Sequence, residues 1–215
     1  MATRVRNDLF DPRYGYQRGR SWCVFGFWHV TKFLFFGSFP WPSPIKVALL
    51  RAFGANVGES VVIRPRANIH SPWRLSVDHH AWIGEEVLIL NFEPVAIGKH
   101  ACVSQRSFLC TGNHDFRDPS MPYRNRPITI GDGAWVGAMC FVAPGVTVHD
   151  DAVIRAGSIV LKDVPVGVIA AGNPCEPVGV RWKDDQLLTE LMREDGRIAE
   201  QSTRDERDPR AEAGG

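Results

Sequence analysis

The chain has 215 residues, of which 44% are hydrophobic and 23% charged, as expected for one domain with a real core and extensions at its ends. A net charge of +1 gives no global field that would attract nucleic acid, so no nucleic-acid partner is expected. Five cysteines, odd in number and without a CxxC pair, disfavour a disulfide framework or zinc knuckle and predict a reducing, cytoplasmic compartment.

The most apolar segment, Trp22–Gly37, predicts an N-terminal helix with Ser21 as its N-cap. His29 and Lys32 interrupt it, so it is not a membrane span of about 20 apolar residues, and no small-residue cleavage site of a signal peptide follows it. Two interpretations stay open: packing on the rest of the protein, or peripheral contact of residues 22–39 with the inner face of the membrane. The second is favoured by nearby aromatic and basic residues, namely Trp22, Trp28, Trp41, Arg13, Arg18 and Arg20.

A second helix is predicted after the first, and residues 1–56 are interpreted as a helical cap. Ser43 is its expected N-cap, Pro44 stands in its first turn and Gly54 at its stop. This helix is expected to close the open end of the domain that follows.

The central region repeats with a period of six. From Ile130 an aliphatic residue returns at every sixth position, and a small or β-branched residue stands four positions after most of them. This period fits neither an α-helix nor an ordinary strand. It predicts a three-sided prism of stacked parallel strands, in which each hexad forms one strand and one turn and 18 residues complete a coil. The aliphatic positions are Ile130, Val136, Val142, Val148, Ile154, Val160 and Val166.

The same period appears earlier, with coils of 20 residues that imply two-residue bulges near Pro72 and Pro94. The prism is therefore predicted over residues 57–177. Between Leu109 and Ile130 the repeat is lost, and the polar, proline-bearing segment 111–127 predicts a loop ejected from a coil. The earlier aliphatic positions are Val57, Ile63, Ile69, Leu75, Val77, Ile83, Ile89, Val95, Ile97, Val103 and Leu109.

Several motifs within and around the repeats are those of a known family. They are Ile-Gly-Asp-Gly-Ala-Trp-Val-Gly (130–137), Ala-Pro-Gly-Val-Thr-Val (143–148), Ala-Gly-Ser-Ile-Val-Leu-Lys-Asp-Val-Pro (156–165), Ala-Gly-Asn-Pro (171–174), and the segments 49–58, 72–76 and 109–115. Through them the chain resembles hexapeptide-repeat O-acetyltransferases, including the maltose and galactoside enzymes, and more specifically those of colanic-acid or exopolysaccharide biosynthesis. The resemblance implies an all-β fold, a left-handed parallel β-helix, and a homotrimer that binds acetyl-CoA between its subunits.

The implied reaction moves an acetyl group from acetyl-CoA to a hydroxyl of a sugar or glycan intermediate. It requires a base for the hydroxyl proton. Of the seven histidines, only His114 lies where the loop leaves the coil and matches the family's base, and an ordinary imidazole supplies a neutral fraction near pH 6.5. The alternative is a solvated loop histidine. Asp115 is expected either to contact the acceptor or to cap the loop, and Asn91 either to bind the sugar or to form a turn.

The resemblance also assigns the cofactor site. Trp135 would line the cofactor channel or pack between subunits, the amide of Ala138 would stabilise the oxyanion, and Lys162 would meet the 3′-phosphate unless it is merely solvated. The full set of expected cofactor residues is Trp135, Gly137, Ala138, Ala156, Gly157 and Lys162.

Two positions depart from the family pattern. Leu161 replaces a common threonine, and Glu176 stands where relatives carry a basic residue, for which Arg181 is a candidate substitute. These departures imply a cofactor held less tightly at its nucleotide, or an acyl donor other than acetyl-CoA.

Other functions compete with this interpretation. The chain could acetylate an antibiotic, xenobiotic or other small molecule, or be a catalytically silent, membrane-associated scaffold. A zinc hydratase is disfavoured because three histidines do not converge, so no metal is expected. Residues 178–215 are predicted to hold a short helix over 184–198 and a disordered charged tail from Gln201.

Overall fold

The computed structural model describes residues 4–13, 15–37 and 39–182. The C-terminal helix predicted over 184–198 and the tail from Gln201 lie outside these residues. Within the described part of the chain, every helix is too short or too polar to cross a membrane.

Two helices precede a series of very short strands. Helix α1 spans Trp22–Phe35 and α2 spans Ser43–Ala52, while single 3-10 turns lie at Asn7–Leu9 and Pro72–Arg74. The strands are β1 Asn56–Val57, β2 Val62–Ile63, β3 Asn68–Ile69, β4 Leu75–Val77, β5 Trp82–Ile83, β6 Leu88–Leu90, β7 Val95–Ile97, β8 Cys102–Val103, β9 Phe108–Cys110, β10 Ile128–Ile130, β11 Trp135–Val136, β12 Phe141–Val142, β13 Thr147–Val148, β14 Val153–Ile154, β15 Ile159–Val160, β16 Val168–Ala171 and β17 Glu176–Val180.

Every third strand joins the same parallel sheet, so the chain winds as a three-sided prism. Sheet A contains β1, β4, β7, β10 and β13; sheet B contains β2, β5, β8, β11, β14 and β16; sheet C contains β3, β6, β9, β12 and β15. The last strand, β17, pairs antiparallel with β16 at the edge of sheet B. We name the edges where the chain turns the AB, BC and CA corners. The predicted prism is confirmed.

The hexad positions line the interior as predicted. Each predicted aliphatic residue from Val57 to Val160 is buried. Left-handed backbone recurs at the turns, including the non-glycine residues His80, His100 and Asp151, which explains how a corner is turned within two residues.

Coil length varies at the CA corner. Val57 pairs with Val77, 20 residues later, and the extra residues form the turn Pro72–Arg74, as the bulge near Pro72 predicted. The prediction for Val166 was wrong: Val164 pairs with Val148 and is buried, because this coil is two residues shorter than the coil just before it, in which Ile130 pairs with Val148.

Side chains from the helices satisfy the backbone groups at the base of the prism. The Trp28 indole Nε1–H donates to the Ile69 carbonyl at 3.0 Å, and the Arg51 guanidinium donates to the Val57 carbonyl at 2.9 Å. Because unpaired carbonyls at a buried edge cost free energy, these donors stabilise the first coil.

Ser43 has a different part from the one predicted. It is the first residue of α2 rather than its N-cap, and its hydroxyl accepts from the Ile63 amide at 3.0 Å and donates to the Ile63 carbonyl at 3.3 Å. Lys46 is fully buried and donates to the same carbonyl at 3.1 Å; burial lowers its pKa. The hydroxyl is thus used across the base of the prism instead of at the helix end.

Candidate active site

The segment 111–127 leaves the prism at the CA corner, between β9 and β10, as predicted. The outgoing and returning strands of this segment are hydrogen-bonded to each other. The Asp115 amide donates to the Pro122 carbonyl at 2.8 Å, and the Arg126 amide donates to the Thr111 carbonyl at 3.0 Å where the chain returns to the prism. The segment 111–127, which we call the ejected arm, is therefore structured by its own hydrogen bonds.

The imidazole of His114 is held in one tautomer. Its Nδ1 lies 2.6 Å from the Met121 carbonyl oxygen, and since a carbonyl can only accept, Nδ1 carries a proton, so that in the neutral imidazole the lone pair is on Nε2. Met121, which supplies this carbonyl, has left-handed backbone with φ of 48°. The ring of His114 also packs beside Phe10 and Tyr123, with centroid distances of 5.4 and 4.7 Å.

The N-terminal segment braces this arm, which the hexad pattern did not indicate. The Arg6 amide donates to the Pro119 carbonyl at 2.8 Å, and the Asn125 side chain donates to the Gly15 carbonyl at 3.3 Å. Aromatic residues in an otherwise polar segment, Phe10 among them, were the only available signal in the sequence.

Aromatic rings continue from this arm to the CA corner below it. Phe92 lies 4.7 Å from Tyr16 and 5.0 Å from His70 between ring centroids. Burial, followed by the nearby Lys32, lowers the pKa of His70 to about 4. His70 is therefore neutral at physiological pH and packs as one more ring in this aromatic row.

The side chains of Asn91 and Asp115 both form hydrogen bonds with main-chain groups. Asn91 is fully buried; its Oδ1 accepts from the Ser71 amide at 2.8 Å and its Nδ2 donates to the Ser71 carbonyl at 2.6 Å. This is the geometry of the turn alternative, and it leaves no exposed surface for a sugar. Asp115 Oδ1 accepts from the Arg117 amide at 3.1 Å, which is the geometry of a loop cap.

Trp135 and Gly137 lie on and just after β11. Trp135 points outward, is 48% exposed, and donates from Nε1 to Ser104 Oγ at 2.8 Å. A Cβ on Gly137 would lie 2.6 Å from the Ile154 carbonyl oxygen and 2.7 Å from the Ala156 nitrogen. Glycine is thus required there by the coil above, independently of any cofactor.

Ala138, Ala156 and Gly157 stack at the BC corner. The Gly157 amide donates to the Ala138 carbonyl at 2.8 Å, and no atom lies within 4 Å of a Cβ built on Gly157. Among the described residues the Ala138 amide donates to no protein group, as is also true of Gln105 at the same corner. This corner therefore offers a slot of small residues with a backbone donor that no described protein group accepts from.

Lys162 lies beyond β15 at the CA corner and faces an acid. Its Nζ is 3.5 Å from Glu176 Oε1, with both side chains largely exposed. Arg181 does not compensate for Glu176: its guanidinium donates to the Gly133 and Asp151 carbonyls at 2.7 and 3.2 Å, at the AB corner. That expectation was wrong because the β16–β17 hairpin carries Arg181 to a different edge.

The expected site residues fall into two groups on different edges of one protomer. His114, Asp115, Asn91 and Lys162 belong to the CA corner. Ala138, Ala156 and Gly157 belong to the BC corner, where Ala138 borders a depression of about 260 Å³ lined mainly by charged residues: Arg66, Glu85, Glu86 and Arg106. The expected base and the expected oxyanion donor therefore lie on different edges within one chain.

No cluster of three or more His, Cys, Asp or Glu side chains in the described part of the chain is placed to hold a metal ion.

Comparison with known proteins identifies the family. The model of the bacterial transferase hexapeptide, six repeats, matches residues 127–162. WcaF of Escherichia coli (strain K12), named as a colanic acid biosynthesis acetyltransferase, is 38% identical over 169 residues, covering 77% of this chain and 91% of that protein. The chain belongs to the hexapeptide-repeat acetyltransferase family. The galactoside O-acetyltransferase of the same strain is 33% identical over 135 residues, covering 61% of this chain and 66% of that enzyme.

Solved structures share the fold. A galactoside acetyltransferase in complex with coenzyme A is 26% identical, with a TM-score of 0.68, covering 76% of this chain and 83% of the other. The acetyltransferase VCA0836 of Vibrio cholerae, complexed with acetyl coenzyme A, is 22% identical, with a TM-score of 0.68 over 75% and 88% of the two chains. The prism is a left-handed parallel β-helix, and the predictions of family, fold and acetyltransferase class are confirmed.

Proposed function

We propose that this protein transfers an acetyl group from acetyl-CoA to a hydroxyl of a sugar or glycan intermediate, by direct attack with His114 as the general base. The observation that supports this most directly is the hydrogen bond from His114 Nδ1 to the Met121 carbonyl, 2.6 Å long. It leaves Nε2 as a lone-pair acceptor on a histidine at the edge of the ejected arm.

The chemistry requires no further protein nucleophile. Nε2 of His114 takes the acceptor's hydroxyl proton while the hydroxyl oxygen attacks the thioester carbonyl carbon. The resulting oxyanion would be stabilised by a backbone donor, for which we propose the Ala138 amide. Collapse breaks the carbon–sulfur bond, and the imidazolium returns the proton to the thiolate, giving an acetyl ester and free coenzyme A.

We propose that the working form is a homotrimer, because sheet C has an apolar outer face. Its outward residues are half-buried and include Phe108 and Phe141, whose rings meet edge to face at 5.5 Å. The others are Leu88, Leu90 and Ile159, and the row ends at the base of the prism with Asn68, which is polar and exposed. By contrast, the outward residues of sheet A are small and mostly polar, namely Asn56, Ser76, Ala96, Thr129 and Thr147. Sheet B also has outward aromatic residues, Trp82 and Trp135, which are 44% and 48% exposed, but only sheet C lies between the two corners that hold the expected site residues. An exposed apolar stripe of this kind is typical of a surface that another chain covers.

A threefold arrangement about sheet C would complete the active site. Sheet C is bounded by the BC and CA corners, so turning it toward the symmetry axis sets the BC corner of one subunit beside the CA corner of the next. His114 would then face Ala138 of the next subunit. The separation of these two residues within one chain supports this arrangement over a site contained in a single protomer.

The cofactor assignment follows the relatives that were solved with coenzyme A or acetyl coenzyme A. The small residues Ala156 and Gly157 would admit the pantetheine arm, and Trp135 would border it. Lys162 would meet the 3′-phosphate after releasing Glu176.

The acceptor class rests on relatives named for colanic acid and galactoside. For Asp115 we retain acceptor contact as a proposal, whereas we assign Asn91 to the turn that supports the arm. We further propose a cytoplasmic location, in keeping with the odd number of cysteines, at the inner face of a membrane.

Turnover of His114→Ala tests the proposal. Removing the base is expected to lower kcat about 10²- to 10⁴-fold, measured by release of the coenzyme A thiol with mass-spectrometric detection of acetylated sugars, lipid-linked glycans and antibiotics. His149→Ala is the matched control, because His149 is exposed on the prism away from the arm, and it should retain wild-type turnover.

Wild-type turnover in His114→Ala would remove the base assignment. Acetylation confined to aminocyclitols or macrolides would favour the small-molecule alternative, and no acetylation together with no cofactor binding by calorimetry would favour the silent scaffold.

A further inference from the structure

Helix α1 has one entirely apolar exposed face. Its largest side chains are Phe33, 81% exposed, Trp22, 71% exposed, and Phe27, 70% exposed. At 100° per residue these positions, with Val30 and Leu34, occupy one arc of the helix. No charged side chain interrupts that arc, and large exposed apolar patches mark interaction surfaces.

The opposite face of α1 is anchored to the prism. Trp28 is fully buried, and its indole N–H donates a hydrogen bond to the Ile69 carbonyl. Lys32 Nζ donates to Asn68 Oδ1 at 2.8 Å. The helix therefore cannot roll to bury its apolar face, which points away from the prism at its base.

The charged residues of the N-terminal segment that contains α1 have one sign. Between Pro12 and Gly58 the sequence has six basic residues and no Asp or Glu, whereas the rest of the chain has 19 basic and 24 acidic residues. The guanidinium of Arg18 lies 3.3 Å from the centroid of the Trp22 ring, at the start of the apolar face. The near-zero net charge of the whole chain thus conceals a basic N-terminal segment, in which Lys46 alone of the six cations is buried.

We propose that α1 binds the surface of an anionic lipid bilayer, lying in the plane of the interface. Its 14 residues make a rod about 21 Å long, too short to span but suited to burying Trp and Phe side chains at headgroup depth. A protein partner is disfavoured because interfaces between proteins usually carry about one hydrogen bond per 100–200 Å², and this face offers little beyond the indole and the Cys23 thiol. If the proposed trimer forms, three such helices share one side of the assembly and bind together.

Vesicle sedimentation of the full chain tests this inference. We expect binding to vesicles of three parts phosphatidylcholine to one part phosphatidylglycerol, weaker binding to phosphatidylcholine alone, and weakening by salt. The double variant Phe27→Ser, Phe33→Ser should lose at least about tenfold in affinity. Phe116→Ser is the matched control, because Phe116 is also 70% exposed but lies on the ejected arm, and its vesicle affinity should be unchanged.

Absence of binding, or equal binding by the double variant, would overturn the inference. So would a larger assembly of the wild type in sedimentation velocity that the double variant abolishes, because the face would then bind another copy. Acetyl transfer to a soluble acceptor, unchanged in the double variant, keeps failure of this inference distinct from failure of the proposed function.

Discussion

At the residue scale, the chemistry proposed for His114 depends on one carbonyl. Because Met121 presents that oxygen from a left-handed position, the tautomer of the imidazole is set by backbone and does not require a carboxylate. The position of the histidine was predictable from the motif. Its partner was not, since Met121 contacts it through the main chain and any residue type has a carbonyl.

The pair Lys162–Glu176 leads to a prediction about the cofactor. Both side chains are exposed, so the pair is weak, but a 3′-phosphate must displace the glutamate and meets its negative charge. Glu176→Gln is therefore expected to lower the KM for acetyl-CoA severalfold with kcat little changed, measured by steady-state kinetics.

Two controls isolate this effect. Glu59→Gln removes an exposed glutamate at the base of the prism and should leave KM unchanged. Dephospho-acetyl-CoA should show the same KM with the wild type and Glu176→Gln. An equal gain with the dephospho form would exclude a contact between Lys162 and the phosphate.

At the element scale, the short strands were predictable because one rule, an aliphatic residue every six positions, specifies each of them. The ejected arm was predictable as an interruption of that rule. The brace formed by residues 4–13 and 15–20 was not, because its contacts, such as that of Arg6 with the Pro119 carbonyl, follow no period. Ser43 and Arg181 were misassigned for a related reason: their partners lie far away in sequence.

The base of the prism supplies a stability prediction. Trp28→Phe keeps a buried ring but leaves the Ile69 carbonyl without its indole donor, which should cost about 1–3 kcal/mol in the free energy of unfolding. Trp22→Phe is the control, because Trp22 is exposed, and its effect should be within about 0.5 kcal/mol. Urea unfolding compares them, and equal stability of the two variants would contradict the role given to this hydrogen bond.

At the scale of the whole molecule, the prism sets the proposed base and oxyanion donor on different edges. We propose that a neighbouring chain closes this separation across sheet C, which lies between the two corners. The sequence pattern predicts the cross-section but contains no information about which face meets a neighbour. The prediction of a trimer therefore came only from the resemblance to the family.

Mixed trimers test this account most directly. His114→Ala removes the base at the CA corner, and Ala156→Trp blocks the slot at the BC corner, where Ala156 is exposed and tolerates bulk without disturbing the core. Each variant alone should be inactive. When the two are co-expressed with different tags and hybrid trimers are purified, each hybrid has one intact site of three, so an interface joining one corner from each of two subunits should recover about a third of the wild-type activity. Hybrid trimers with no activity above that of the two parents would contradict an active site shared between subunits.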